Sequence, residues 1–417
     1  MKLKKILVAK KNTKCRYCKS THLIKFLSLG NHPPSDSFIR PNEIHSEIRY
    51  PLEVYFCKEC FLVQLVDVVP AEILFGEFLY LSSSSKALKN HYTNLAHILT
   101  NKFYLKSGDV VVDIGCNDGI LLHGYAPGLI KIGVEPSSVA EVAMASGLEV
   151  VKAFFGEEAA SEIVKKHKKA KVVTATNVFA HVDNIANFVK GLPILLDADG
   201  VFIIEAPYLI DLIDQTLFDT IYHEHLCYLS LTPLISFLSR FGLEIFDVER
   251  VPFGASGPAV RFFVKTKKSK RPIEKTVENM LIHEKQWGIG DIKKYLGYAK
   301  KVEKVKKDVL KLIRTIKKSG AHLGGYGAPA KGSTLLNYFE LSTETIEYIA
   351  ETNPIKQGLL TPGSHIPIIC EEEFLKRMPE YALLLSWNYL DFFLEKSEYI
   401  KRGGKFLVPL PKPIIVP

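Results

Sequence analysis

Val110-Val-Val-Asp113-Ile-Gly115-Cys-Asn117-Asp-Gly119-Ile-Leu-Leu122 decides how this chain is read. A β-branched run ends in an acid, two glycines bracket a short turn, and apolar residues resume at once. That order predicts a buried strand, a tight loop and a helix start. Glycines let a backbone approach a ligand closely, and a helix N-terminus offers unpaired N–H groups there. The dinucleotide fingerprint G-x-G-x-x-G is absent, because Cys116 and Asn117 follow Gly115.

The spacing D-x-G-x-N-x-G instead resembles the first motif of class I S-adenosylmethionine methyltransferases. Outward from it, strand and helix patterns alternate, which predicts a largely parallel, doubly wound sheet. The second strand, Lys131 to Glu135, ends in an acid placed to bind ribose hydroxyls. Ser138-x-x-Glu141 has the form of a capping box for the next helix. The third strand, Glu149 to Ala153, delivers Phe154 and Phe155, which can wall an adenine ring or pack in the core. The fourth, Lys171 to Thr176, ends at Asn177-Val-Phe-Ala-His181. Runs at Gly200 to Ala206, Leu243 to Val251 and Ala259 to Lys265 bring the count to seven strands. Ligands of such sheets bind beyond the carboxyl ends of the strands, where Asp113, Glu135, Phe154, Asn177 and His181 all fall.

Upstream, Cys15-x-x-Cys18 and Cys57-x-x-Cys60 can each present two thiolates from one turn, a pattern suited to a tetrahedral structural zinc. Four thiolates fill the metal, leaving no open catalytic position. The segment between them, Ser35 to Phe56, is expected to form a small β-rich insert. Phe75 to Ser85 is a hydroxyl-dense loop entering the core domain, able to cap the helix from Lys86 to Phe103 or to line the site.

Downstream of the fifth strand, Tyr222-His223-Glu224-His225 is a dense titratable cluster. The zincin motif H-E-x-x-H fails, because Cys227 takes the second ligand's place. Acid–base machinery remains, against the plainer reading of a polar surface turn. Arg271 to Ser319 is lysine-rich, with Val302, Val305, Val309, Leu312, Ile313 and Ile316 keeping one helical face apolar and Gly320 just past its end. The last unit opens on Gly325-Tyr-Gly327-Ala-Pro-Ala-Lys331-Gly-Ser333. It is not a Walker loop, since Lys331 precedes Gly332, but it can hold phosphate. Strands at Ile346 to Ala350 and Ala382 to Trp387 mark a second, smaller α/β unit.

The 417 residues carry a net charge of +9 with 47% apolar and 24% charged residues, an ordinary globular composition. The basic residues are spread out, so no nucleic-acid partner is expected. The apolar run Ile6 to Ala9 is too short for a signal peptide, and no later run approaches the roughly 20 residues of a membrane span. The expectation is a cytoplasmic, membrane-free protein and a monomer.

Taken in order, these modules resemble the sugar C-methyltransferases that act on nucleotide-linked deoxy-keto-sugars. The resemblance rests on the four cysteines, on Asp113 to Gly119, on N-V-x-A-H-V-D-N from Asn177 to Asn184, on Y-H-E-H from Tyr222 to His225, and on Gly325 to Gly332. It implies a class I methyltransferase Rossmann-like core with an N-terminal Cys₄ zinc module and a C-terminal Rossmann-like α/β domain. Boundaries are expected at 1–74 for the zinc module, 75–268 for the core, 269–319 for a helical linker and 320–417 for the last domain. It implies S-adenosylmethionine and structural zinc as cofactors and methyl transfer to the carbon beside a 4-keto group. The cofactor would meet Tyr80, Asp113, Gly115, Asn117, Gly119, Glu135, Phe154 and Asn177. His225 is the expected base, with Tyr222 or Glu224 the alternatives. Glu224 would tune it, and Tyr222 or His181 would donate to the enolate. The nucleotide diphosphate would be held by Gly325, Gly327, Lys331, Ser333, Asn353 and Lys356.

Two departures bear on the substrate. The family's Tyr-x-Tyr-x-Ser-Ser has Phe78 in place of its first tyrosine, and its His-Gly-Gly-Ser becomes Phe253-Gly254-Ala255-Ser256, with Gly257 and Pro258 before Arg261. Methyl transfer to oxygen or nitrogen of a nucleotide sugar or related metabolite, or an RNA-directed zinc-containing methyltransferase, are the competing readings.

Overall fold

The computed structural model describes residues 9–75, 81–254 and 257–417. Tyr80 and Phe78 therefore lie outside the described residues, as do Ala255 and Ser256.

The central sheet has seven strands in the order Leu243–Gly254, Gly257–Thr266, Leu196–Pro207, Ala170–Thr176, Val110–Ile114, Ile130–Val134, Glu149–Val151. All neighbours from Leu196–Pro207 to Glu149–Val151 are parallel. The hairpin at Gly254–Gly257 sends one strand back antiparallel between its neighbours. Every residue of Val110–Ile114 is buried, as a strand covered on both faces requires. The expected capping box is not formed: the helix Ala140–Ala145 starts after Val139 with no side-chain cap, and Glu141 pairs with Lys152 instead.

A four-stranded sheet carries the N-terminal cysteines, with Leu23–His32, Tyr50–Cys57 and Val63–Leu65 as three of its members. The β structure thus occupies only the end of the Ser35 to Phe56 segment, the strand Tyr50–Cys57, because residues 33–49 form loops and one 3-10 turn, Pro41–Ser46. That loop docks on the C-terminal unit: Ile39 bridges Leu360, and Glu47 accepts from the Gly363 N–H at 2.7 Å. The fourth strand is Cys227–Tyr228, contributed by the central-sheet unit shortly after Tyr222 to His225.

The lysine-rich stretch is two helices, Lys275–Trp287 and Ile292–Lys318. It is more than a linker, because Tyr295 is fully buried against Phe26 and Phe56 of the cysteine-bearing sheet. The C-terminal sheet runs Ile368–Ile369, Ile349–Ala350, Leu323–Tyr326, Tyr381–Leu384, Lys405–Val408, Ile414–Val416, parallel except for its last strand. Among the described residues, no helix is long and apolar enough to cross a membrane.

Candidate active site and metal centre

The four cysteine sulfurs lie within 4.8 Å of one another, with Cys15–Cys60 and Cys18–Cys57 each 3.5 Å apart. Tetrahedral zinc with Zn–S bonds near 2.3 Å would set its sulfurs about 3.8 Å apart, so the cluster has the dimensions of a structural zinc site. The expected ligand set is brought together in full.

A cavity of about 1350 Å³ runs between the central sheet and the C-terminal unit. Ligand pockets commonly hold about 300–1,000 Å³, so this one has room for a cofactor and an acceptor together.

At one end lies the glycine loop. Gly115 and Gly119 have positive φ, and a Cβ on Gly115 would come within 2.3 Å of Val178. Asn117 also has positive φ, +52°. Its N–H donates to Glu135 at 3.0 Å, and its side-chain oxygen accepts from the Ser82 N–H at 2.9 Å. Asp118 accepts likewise from the Ser83 N–H at 2.9 Å. The serine stretch is thereby pinned to the loop, and Ser82 and Ser85 reach the cavity wall. Sequence reading missed Asp118, whose only signal was its place beside Asn117. Asp113 sits beneath the loop, accepts from the Thr174 hydroxyl at 2.6 Å, and does not line the cavity. Burial pushes its carboxyl up to about 7. Gly119 also lies behind the wall, at the start of the helix Ile120–Gly124. Both Phe154 and Phe155 line the cavity, but Phe154 is 59% exposed, whereas Phe155 is buried edge-on to Phe188. Asn177 lines the wall with φ +56°, its N–H donating to the Glu205 carbonyl at 2.7 Å.

Midway stand the rings of Tyr222, His225 and His181. Tyr222 and His225 have centroids 4.0 Å apart, and His181 stacks on His225 with centroids 5.0 Å apart. The His225 Nδ1 lies 2.7 Å from the Thr220 carbonyl, which can only accept. Nδ1 therefore carries the proton and Nε2 the lone pair. Burial pulls the His225 pKa down to about 4, so the ring is neutral at pH 7. Burial and then His225 lower His181 as well. Glu224 responds in the opposite sense: burial, then the nearby Asp36, pushes its carboxyl up to about 8. His223 turns away toward the Tyr50 carbonyl, at 3.3 Å.

At the far end, Gly327, Lys331 and Lys356 line the cavity, while Gly325, Ser333 and Asn353 do not. Gly325 is a packing glycine, since a Cβ there would meet Ile349 at 2.7 Å. Ser333 is buried and donates to the Ser35 carbonyl at 2.8 Å. Asn353 caps its own turn, accepting from the Ile355 N–H at 3.0 Å. Among the described residues, Lys331 has no hydrogen-bond partner for its ammonium, and burial draws its pKa down to about 8. Lys356 donates to the Ala328 carbonyl at 2.8 Å and pairs with Asp36 at 3.4 Å. Two wall residues were missed in the sequence. Glu351 ends a strand just as Glu135 does, so the same rule applied to it. Asp36 arrives from the N-terminal module, which only the tertiary fold reveals.

Fold and site together define an S-adenosylmethionine-dependent methyltransferase. Three family models match in chain order: a putative zinc binding domain over residues 15–75, a methyltransferase domain over 88–248, and a C-methyltransferase C-terminal domain over 255–411. The C-methyltransferase NovU of Streptomyces niveus is 32% identical over 406 residues, covering 96% of each chain. Among solved structures, an S-adenosylmethionine-dependent methyltransferase of Clostridium acetobutylicum ATCC 824 is similar over 43% of this chain and 92% of its own, at 14% identity and a TM-score of 0.34. The CcbJ methyltransferase of Streptomyces caelestis is similar over 42% of this chain and 89% of its own, at 14% identity and a TM-score of 0.34. The chain belongs to the C-methyltransferase family.

Proposed function

We propose that this enzyme methylates the carbon beside the keto group of a nucleotide-diphosphate deoxy-keto-sugar, through an enolate. One observation carries the reading: a single cavity joins the glycine loop to two lysines, with the Tyr222 to His225 cluster between them. S-adenosylmethionine, held by the loop, Glu135, Phe154 and Asn177, supplies an electrophilic methyl group. Methylation of oxygen or nitrogen uses a lone pair already present, whereas a sugar carbon must first lose a proton. That demands a base and hydrogen-bond donors for the enolate oxygen.

Opposed pKa shifts on neighbouring groups divide acid from base roles. Neutral His225, with its lone pair on Nε2, takes the proton. Glu224, protonated at neutral pH, joins Tyr222 and His181 as a donor toward the enolate. Lys331 and Lys356 answer the diphosphate with two positive charges.

The test is incubation with methyl-labelled cofactor and a panel of nucleotide-diphosphate 4-keto-deoxysugars. The expected product carries the label on carbon, and the acceptor exchanges its adjacent proton with deuterated solvent before transfer. A label on oxygen or nitrogen would overturn the reading.

A further inference from the structure

Behind Lys331 lies a buried assembly that no step above uses. Asp219 is wholly buried in the turn Phe218–Thr220, and one carboxylate oxygen accepts from the Trp387 indole N–H at 2.6 Å. The face of that indole lies under Lys331, with the ammonium 4.6 Å from the ring centroid. Lys331 is itself 8% exposed, lines the cavity, and has no hydrogen-bond partner among the described residues. Trp387 thus touches the carboxylate with its edge and the ammonium with its face.

An ammonium over an indole is drawn to the negative ring face. A carboxylate accepting the N–H adds electron density to that ring and fixes its plane. The lysine therefore gains a counter-charge without a direct salt bridge, and its N–H donors stay available to the cavity. A direct carboxylate partner would occupy those donors. A lysine with no partner at all would lose its proton in so dry a place.

We infer that Asp219 and Trp387 are positioning residues that hold Lys331 charged and aimed at the diphosphate of the acceptor. The inference rests on the nucleotide-sugar reading above. The same turn serves the reacting end. The carbonyl of Thr220 holds His225, and the Thr334 hydroxyl on the lysine's own helix, Ala330–Tyr338, donates to the Ile221 carbonyl at 3.0 Å. One short turn thereby sets the distance between the anion-holding lysine and the base.

Calorimetric titration tests this with UDP, dTDP, CDP and GDP as probes, with the parent nucleoside of the tightest binder and S-adenosylmethionine as comparisons. Trp387→Phe keeps the ring face but removes the N–H, Trp387→Leu removes the platform, and Asp219→Asn removes the charge. Affinity for the diphosphate is expected to fall about 5-fold in Trp387→Phe and Asp219→Asn, and about 10-fold or more in Trp387→Leu, the range of a desolvated cation–π contact. Nucleoside and cofactor affinities should stay within about twofold of the unaltered protein. In turnover, KM for the sugar nucleotide should rise while kcat holds. Undiminished diphosphate binding by the variants overturns the inference, and so does a parallel loss of cofactor and nucleoside binding. If the unaltered protein binds none of the diphosphates, it is the nucleotide-sugar reading that fails.

Discussion

His225 and Glu224 are adjacent in the chain and buried together, yet burial moves them oppositely, one to about 4 and the other to about 8. Desolvation disfavours whichever form is charged, so a base is kept neutral and an acid is kept protonated. The signs give a definite pH profile. His225 loses its lone pair only as pH falls toward about 4, and Glu224 loses its proton as pH rises through about 8. Activity is expected to hold between these limits and decline on the alkaline side near 8. Glu224→Gln retains a neutral donor that cannot ionise, so it should keep kcat within about 10-fold and lose the alkaline limb of kcat, whereas KM still rises near 8 as Lys331 loses its proton. Were Glu224 the base, the same change would cost about 10²–10⁴ in kcat. His225→Ala should bind S-adenosylmethionine normally and fail to exchange the proton beside the ketone; retained exchange would rule His225 out as the base.

At the level of elements, the glycine loop is held by backbone conformation and by what stands behind it. Gly119 has φ +82°, and a Cβ there would lie 2.1 Å from the Leu148 side chain. Gly147 has φ +89° with nothing within 4 Å. Alanine at Gly147 should therefore cost only the left-handed backbone penalty, about 1–2 kcal/mol, and leave cofactor affinity unchanged. Alanine at Gly119 should cost that plus displacement of Leu148, about 1–3 kcal/mol more, and weaken cofactor binding as the loop shifts. Denaturant midpoints and calorimetric cofactor titrations separate the two. Equal effects would mean that the packing behind the loop is unimportant. The strand Val110–Ile114 was legible from its β-branched run, but the expected strands Glu149 to Ala153 and Ala382 to Trp387 end earlier, at Val151 and Leu384. The capping box at Ser138 was not, because a Ser-x-x-Glu spacing is common and Glu141 found Lys152 across the turn.

In the whole molecule, the cysteine module shares a sheet with the strand that follows the proposed reacting residues. Val63–Leu65, just beyond Cys60, pairs with Cys227–Tyr228, just beyond His225, and the Leu65 N–H donates to the Leu226 carbonyl at 3.0 Å. Arg16, between the first two cysteines, reaches the Leu65 carbonyl and has its N–H on Gln64 at 3.0 Å. Metal binding in small modules is folding free energy. Chelation should accordingly lower the melting temperature and abolish methyl transfer, although the zinc would lie away from the reacting groups. Cofactor binding should persist, because the glycine loop belongs to the central sheet. Metal analysis should find one zinc per chain, and full activity in metal-free protein would refute the coupling.

Periodicity, glycine placement and cysteine spacing determined by themselves the seven-stranded core, the glycine loop and the Cys₄ cluster, because these are local patterns whose physics acts within a few residues. Tertiary structure alone decided which residues face the cavity. It drew Asp36 from the N-terminal module and Glu351 from the C-terminal unit, and it turned Gly325 and Ser333 into packing. It also decided the charges of Glu224, His225 and Lys331. Desolvation depends on everything that surrounds a side chain, and no spacing in the sequence records that.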